Sequence, residues 1–189
     1  MKLPQKSKMG GDKIPLYVQI KLESAYAWIT HSNQHASPQF KRHIKSIMLD
    51  KNWTQSSYNY LSQAVIFLDI DDAYYLVNSA FRSYEKNPKY DTFTIQFVAN
   101  IAVNFLNCCY HKNAKKEYVD RAVNFLRNSL PKDGAIGINS VLGTYYEALF
   151  NNDKEMAKMV IKVLDKSGYL SLIQDTLDPQ TLNPKYKES

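Results

Sequence analysis

Two cysteines, six glycines and seven prolines are few for 189 residues. A disulfide framework needs more cysteine than this. Cys108 and Cys109 are moreover adjacent in a helical pattern, where neighbouring side chains point ~100° apart and a bond between them would be strained. We read both as reduced core residues. The scarcity of glycine and proline, with 44% hydrophobic and 22% charged residues, excludes a linker-like or disordered chain. No apolar run approaches the roughly 18 residues of a membrane span, and MKLPQKSKMGG lacks the apolar centre of a signal peptide. A cytoplasmic location, away from any membrane, is expected. Of the net charge of +6, four lysines against one aspartate in the first thirteen residues hold +3. The body is then only mildly basic and is not patterned for direct nucleic-acid binding.

Motifs that carry chemistry are equally sparse. There is no glycine-rich phosphate loop, and GAIGIN has the wrong surroundings for a dinucleotide turn. His31 and His35 have the spacing of a helical metal pair, with His43 nearby. The intervening THSNQHASP reads as a loop that would not hold two rings on one face, so no metal is expected. DIDD places Asp69, Asp71 and Asp72 within four positions and resembles the acid motif of one class of terpene cyclases, in which a desolvated carboxylic acid protonates an alkene. Nothing else in the chain supplies a cavity or diphosphate motif for such an enzyme. The plainer reading is that Asp69 or Asp71 caps a helix, with the extra negative charge favoured at its positive end. Neither an enzyme nor a cofactor is expected.

Helical periodicity, by contrast, runs nearly throughout. Val18, Leu22, Ala25, Tyr26 and Ile29 mark a first helix, and Phe40, Ile44, Ile47 and Met48 a second. Tyr58, Leu61, Val65 and Leu68 follow, then Ala73, Val77, Ala80, Phe81 and Tyr84, stopped at Asn87 and Pro88. A long segment from Thr92 to Tyr110 comes next, and further stripes run through Val119 to Leu130, Ile138 to Leu149 and Met156 to Val163. About eight helices joined by short turns, with odd members starting at intervals of about 36 to 45 residues, are the spacing of an α-solenoid. The fold expected is all-α, a tetratricopeptide-like right-handed superhelix of antiparallel hairpins, although the tetratricopeptide consensus itself is not met. Residues 14–176 would form this domain, between a basic tail at 1–13 and a second tail at 177–189.

The Thr92–Tyr110 segment is apolar on most sides, yet Gln96, Asn100, Asn104, Asn107 and His111 fall on one line at spacings of four, four, three and four. Lys and Glu have higher helix propensity than Asn by a few tenths of a kcal/mol, so repeated Asn needs a reason. A carboxamide offers a donor and an acceptor, which matches the N–H and C=O of a peptide backbone. Shorter rows run through Ser56, Asn59 and Gln63 and through Asn139, Gly143 and Glu147. Equivalent helices of a solenoid line one concave surface, so the rows admit two readings. They form a ligand groove, or they bond neighbouring helices and face water.

Four segments, IKLES, LDKNWTQSSYNYLSQAVIFLDIDDAYYLV, FTIQFVANIAVNFLNCCYHKNAKKEYVDRAVNFL and VLGTYYEALFNNDKEMAKMVIKVLDKSGY, resemble in order the C-terminal regulatory domain of the Rgg/GadR/MutR family of transcriptional regulators. The resemblance spans roughly residues 15 to 175 and rests on packing patterns. It implies a helical-repeat domain that binds a short signalling peptide in its concave groove and forms a homodimer, in a quorum-sensing regulator. Carried onto this chain, it places Asn59, Gln63, Gln96, Asn100, Asn104 and Asn139 against the peptide, with Arg82 or Arg121 facing an acidic peptide group. The family's helix-turn-helix is not found here, so DNA would be reached only through a domain that this sequence does not contain. A solitary helical-repeat scaffold for protein partners is the alternative.

Overall fold

The structure, a computed structural model, describes residues 14–30, 32–49, 52–174 and 177. The basic tail at 1–13, His31 and all of the C-terminal tail except Leu177 lie outside the described residues. Leu177 is buried, so it belongs to the core and not to a tail. Among the described residues the fold is all-helical, without a strand. Its helices are α1 (Leu16–Thr30), α2 (Pro38–Leu49), α3 (Gln55–Ala64), α4 (Ile70–Lys86), α5 (Thr92–His111), α6 (Lys116–Asn124), α7 (Gly137–Phe150), α8 (Lys154–Lys166) and the short α9 (Leu170–Ile173). A π-helical turn, Phe125–Ser129, continues α6.

Local chemistry sets the helix ends. Thr54, Asp91 and Asp153 each accept a backbone N–H of the turn they precede, from Ser57, Thr94 and Met156 respectively. Helices α5, α7 and α8 end in the same way. Asn113, Asn152 and Gly168 take φ of 48°, 55° and 77°, and the following amide reaches back to Cys109, Ala148 and Leu164 at 2.9, 2.8 and 2.9 Å. This closure satisfies carbonyls that the helix itself leaves open and reverses the chain within a few residues.

Odd helices stack on odd helices: α1 packs on α3, α3 on α5 and α5 on α7. The register is visible in the hydrogen bonds. Ser62 pairs with Asn104 and Leu68 with Lys112, while Asn100 pairs with Asn139 and Asn107 with Tyr146. Residue number rises in the same direction on both members, so α3, α5 and α7 run parallel. The even helices do the same. Lys41 and Lys45 of α2 meet Asp69 and Asp72 at the start of α4. Between α4 and α6, Tyr74 stacks on Tyr118 at 3.8 Å, and Phe81 stacks on Phe125 of the following turn at 3.8 Å. Helix α5 lies at the centre, packed against α3, α4, α6 and α7. It is long and apolar enough to cross a membrane by length and composition, unlike the runs expected from the sequence, and most of it is buried in this core.

The middle stripes are where the periodicity placed them: Ala73, Val77, Ala80, Phe81 and Tyr84 are all buried, as are Val119, Ala122, Val123, Leu126 and Leu130. The outer ones are not. On α1 the core contacts are Ile20, Ser24 and Ala27, while Leu22 and Ile29 remain 57% and 80% exposed. On α8, Ala157, Val160, Ile161 and Leu164 face inward and Met159 and Val163 outward. Each outer helix carries two apolar faces, and only one has a neighbour among the described residues.

Candidate functional site

The polar line of α5 splits into residues that hold neighbouring helices and residues that remain open. The helical ladder of α3 closes with the Val65 N–H on the Leu61 carbonyl at 3.0 Å. The carbonyls that follow are met from α5. Asn104 Nδ2 donates to the Ser62 carbonyl at 2.7 Å, the Cys108 thiol to Val65 at 3.7 Å and Lys112 Nζ to Leu68 at 2.7 Å. Side chains four apart on α5 thus serve carbonyls three apart at the end of α3, replacing the cap that this helix lacks. Burial pushes the Cys108 thiol up to about 11, against a smaller opposing pull from Lys112, and keeps it a protonated donor. Burial also raises the thiol of Cys109, and both cysteines are free.

On the other side of α5, Asn107 Nδ2 donates to the Tyr146 hydroxyl at 2.7 Å, and Asn139 Nδ2 donates to Asn100 Oδ1 at 2.8 Å. Asn107 and Asn139 are 6% and 7% exposed, so both amides are committed between α5 and α7. Asn104 and Asn139, expected against a ligand, therefore hold neighbouring helices. The Ser62 carbonyl at the end of α3 is satisfied by Asn104, and the buried Asn139 amide finds its acceptor in Asn100 at the exposed edge of the seam.

What remains open lies on α1, α3 and the first half of α5. Gln63 Nε2 donates to Asn59 Oδ1 at 3.0 Å, and among the described residues the Asn59 amide nitrogen and the Gln63 side-chain carbonyl have no further partner. Asn100 is exposed and among the described residues uses only its oxygen, and Gln96 is half-buried beside it. Phe93 and Phe97 stand on the same face of α5, one exposed and one half-buried. Between α1 and α3, Tyr17, Lys21, Asn59, Tyr60 and Gln63 line a pocket of about 210 Å³. Tyr17, Lys21 and Tyr60 were not singled out in the sequence, because a lone Lys or Tyr on an amphipathic helix looks like any solvated face.

The two arginines stand elsewhere. Arg82 is exposed on α4, and its charge acts on Glu85. Arg121 forks onto Glu85 at 2.9 and 2.8 Å, donates to Asn78 at 3.1 Å and lies over the Phe81 ring at 5.2 Å. Burial raises the Glu85 carboxyl, but hydrogen bonds from Arg121 and Ser129 with both arginine charges outweigh it and hold the group below its ordinary value. Arg121 is therefore a clamp between α4 and α6 and is not offered to a ligand. Glu147 is held in the same manner by Arg127. Gly143 has a packing role: a Cβ there would meet Leu126 Cδ1 at 2.8 Å.

The DIDD carboxylates are also distributed among neighbours. Asp69 occupies the N-cap position of α4 without a side-chain cap bond and instead accepts from Asn33 and Lys41 at 3.0 and 3.1 Å. Asp71 accepts the Tyr118 hydroxyl at 2.7 Å, and Asp72 accepts Lys45. Three adjacent acids thus join α4 to the segment after α1, to α2 and to α6. His35 is paired with Glu23 at 2.8 Å and stacked on Tyr26, while His43 is exposed on α2. Against family models, curated proteins and solved structures, the chain shows no match.

Proposed function

We propose that this chain is a non-catalytic helical-repeat sensor that binds a short peptide along the open face of α1, α3 and α5, as the Rgg/GadR/MutR resemblance implies. The observation that carries this reading is the set of free amide groups on adjacent parallel helices, at Asn59, Gln63, Gln96 and Asn100. Spare donors and acceptors spaced along one face suit a peptide backbone irrespective of its sequence, and Phe93 and Phe97 offer apolar surface to its side chains. The parallel stacking of odd helices is what a right-handed, tetratricopeptide-like superhelix requires, and in such a fold this face is the concave one. Binding would act by population shift, favouring one arrangement of a homodimer that a DNA-binding domain elsewhere reports.

The test is capture of short peptides from culture filtrate of the native organism on the immobilised chain, read by mass spectrometry. Asn59→Ala with Asn100→Ala is the control, since neither residue caps a helix. A defined peptide retained by the native chain should be weakened by about 1 kcal/mol per lost hydrogen bond in the variant. Absence of any retained peptide from a folded native chain would refute the reading. The second reading, a scaffold for a folded protein partner, draws on a different observation: the apolar outer faces at Leu22 and Ile29 of α1 and at Met159 and Val163 of α8.

A further inference from the structure

We propose that the pocket between α1 and α3 receives a carboxylate of the bound peptide, with Lys21 as its counter-charge. This rests on the peptide reading and adds the chemistry and placement of one ligand group. Lys21 contributes an ammonium, Tyr17 and Tyr60 contribute phenols, and no carboxylate stands among the five lining residues. The bond from Gln63 to Asn59 Oδ1 ties down the asparagine's acceptor and leaves its nitrogen to donate. Four groups that can donate thus surround the space, two of them phenols that can also accept, against one amide acceptor, the Gln63 carbonyl. A carboxylate is acceptor-only and accepts from several donors at once, and such charge-assisted bonds are the strong ones.

Lys21 forms no ion pair among the described residues, which leaves its ammonium available to the pocket it lines. The nearest acid in sequence, Glu23, is taken by His35. The pocket adjoins the open amides of α3, so a peptide lying on those amides can place a carboxylate there without leaving the face. That carboxylate is the peptide's C-terminus or the side chain of an Asp or Glu, and the two sources are separable.

The probes are three synthetic octapeptide mixtures of apolar composition: free acids, the same sequences as C-terminal amides, and C-terminal amides carrying one Asp or Glu. Each is incubated with the full chain, separated by gel filtration and quantified by mass spectrometry, for the native protein, Lys21→Gln and Lys21→Arg. Retention of free acids about tenfold above plain amides, lost in Lys21→Gln and partly kept in Lys21→Arg, supports a C-terminal carboxylate. The same pattern confined to the Asp- or Glu-containing amides supports a side-chain carboxylate. Equal retention of acids and plain amides, or a preference that survives in a Lys21→Gln variant of native circular dichroism, overturns the assignment while leaving the peptide face intact. No retention of any mixture by the native chain overturns both.

Discussion

Replacing Asn104 by Ala separates the two uses of the amide row. The side chain donates to the Ser62 carbonyl at 2.7 Å from a half-buried position, at the point where the α3 ladder has ended. Removing it takes away one hydrogen bond and leaves a carbonyl in the seam between α3 and α5 without its donor, a loss of about 1–3 kcal/mol. Asn100→Ala is the matched comparison one turn away. Its oxygen accepts from the buried Asn139 amide, but Asn100 itself is exposed and water can enter the space its side chain leaves, so the expected loss is smaller than for Asn104→Ala. For a chain of this size a loss of about 2 kcal/mol lowers Tm by about 4–8 °C. Urea unfolding followed by circular dichroism at constant slope measures both variants. An Asn104→Ala protein as stable as the native one, or an Asn100→Ala protein less stable than Asn104→Ala, would refute the capping argument.

Three further outcomes follow from the titrating groups. The hydrogen bond to Asp71, helped by burial, pushes the Tyr118 hydroxyl up to about 12. Its contribution is complete below pH 10, the ordinary value, and is lost as pH rises through the raised one, so the urea midpoint of the native chain should fall more steeply there than that of Tyr118→Phe. Asp91 is held below its ordinary value of 3.8 first by the Thr94 backbone N–H, then by the Thr94 hydroxyl and by Gln55 against a small effect of burial. With Glu85, also lowered, it contributes stability that is present above about pH 4.5 and lost as pH falls through the lowered values. Asp91→Ala should therefore flatten the acid limb of the stability profile, and an unchanged limb would count against this cause. The buried thiols of Cys108 and Cys109 should resist iodoacetamide at pH 8 and label only as urea opens the chain; prompt labelling of the native protein would contradict their burial.

Much of the fold was legible because its middle helices bury one continuous stripe each, and a buried stripe leaves a period in the sequence. The ends were less legible for a physical reason. On α1 the apolar stripe read from the sequence includes Leu22 and Ile29, which face outward, and the core contact is made by Ile20, Ser24 and Ala27. A pattern of apolar residues states that a face is apolar; it does not state which element covers it. The same limit applied to Arg121, whose charge was visible and whose partner Glu85, on a helix 36 residues away, was not.

The amide row shows the limit most closely, since Asn100 and Asn104 differ by one turn and are indistinguishable by composition or spacing. Their roles diverge because α3 stops at Ala64, and QAVIFLD carries neither Gly nor Pro to mark the stop. Once it stops, its carbonyls recruit Asn104, Cys108 and Lys112, and that recruitment fixes the register of α3 against α5. Register in turn sets how Asn59 and Gln63 of α3 stand relative to Gln96 and Asn100 of α5, so the bonded half of the row positions the open half. Rigid positioning of spare donors and acceptors is what lowers the cost of ordering a flexible peptide. Under the proposed peptide reading, loss of Asn104 should therefore weaken peptide retention as well as stability, whereas loss of Asn100 should weaken retention with the smaller loss of stability. Retention that is unchanged in a folded Asn104→Ala protein would separate the packing role from the proposed peptide face and confine that proposal to Asn59, Gln63, Gln96 and Asn100.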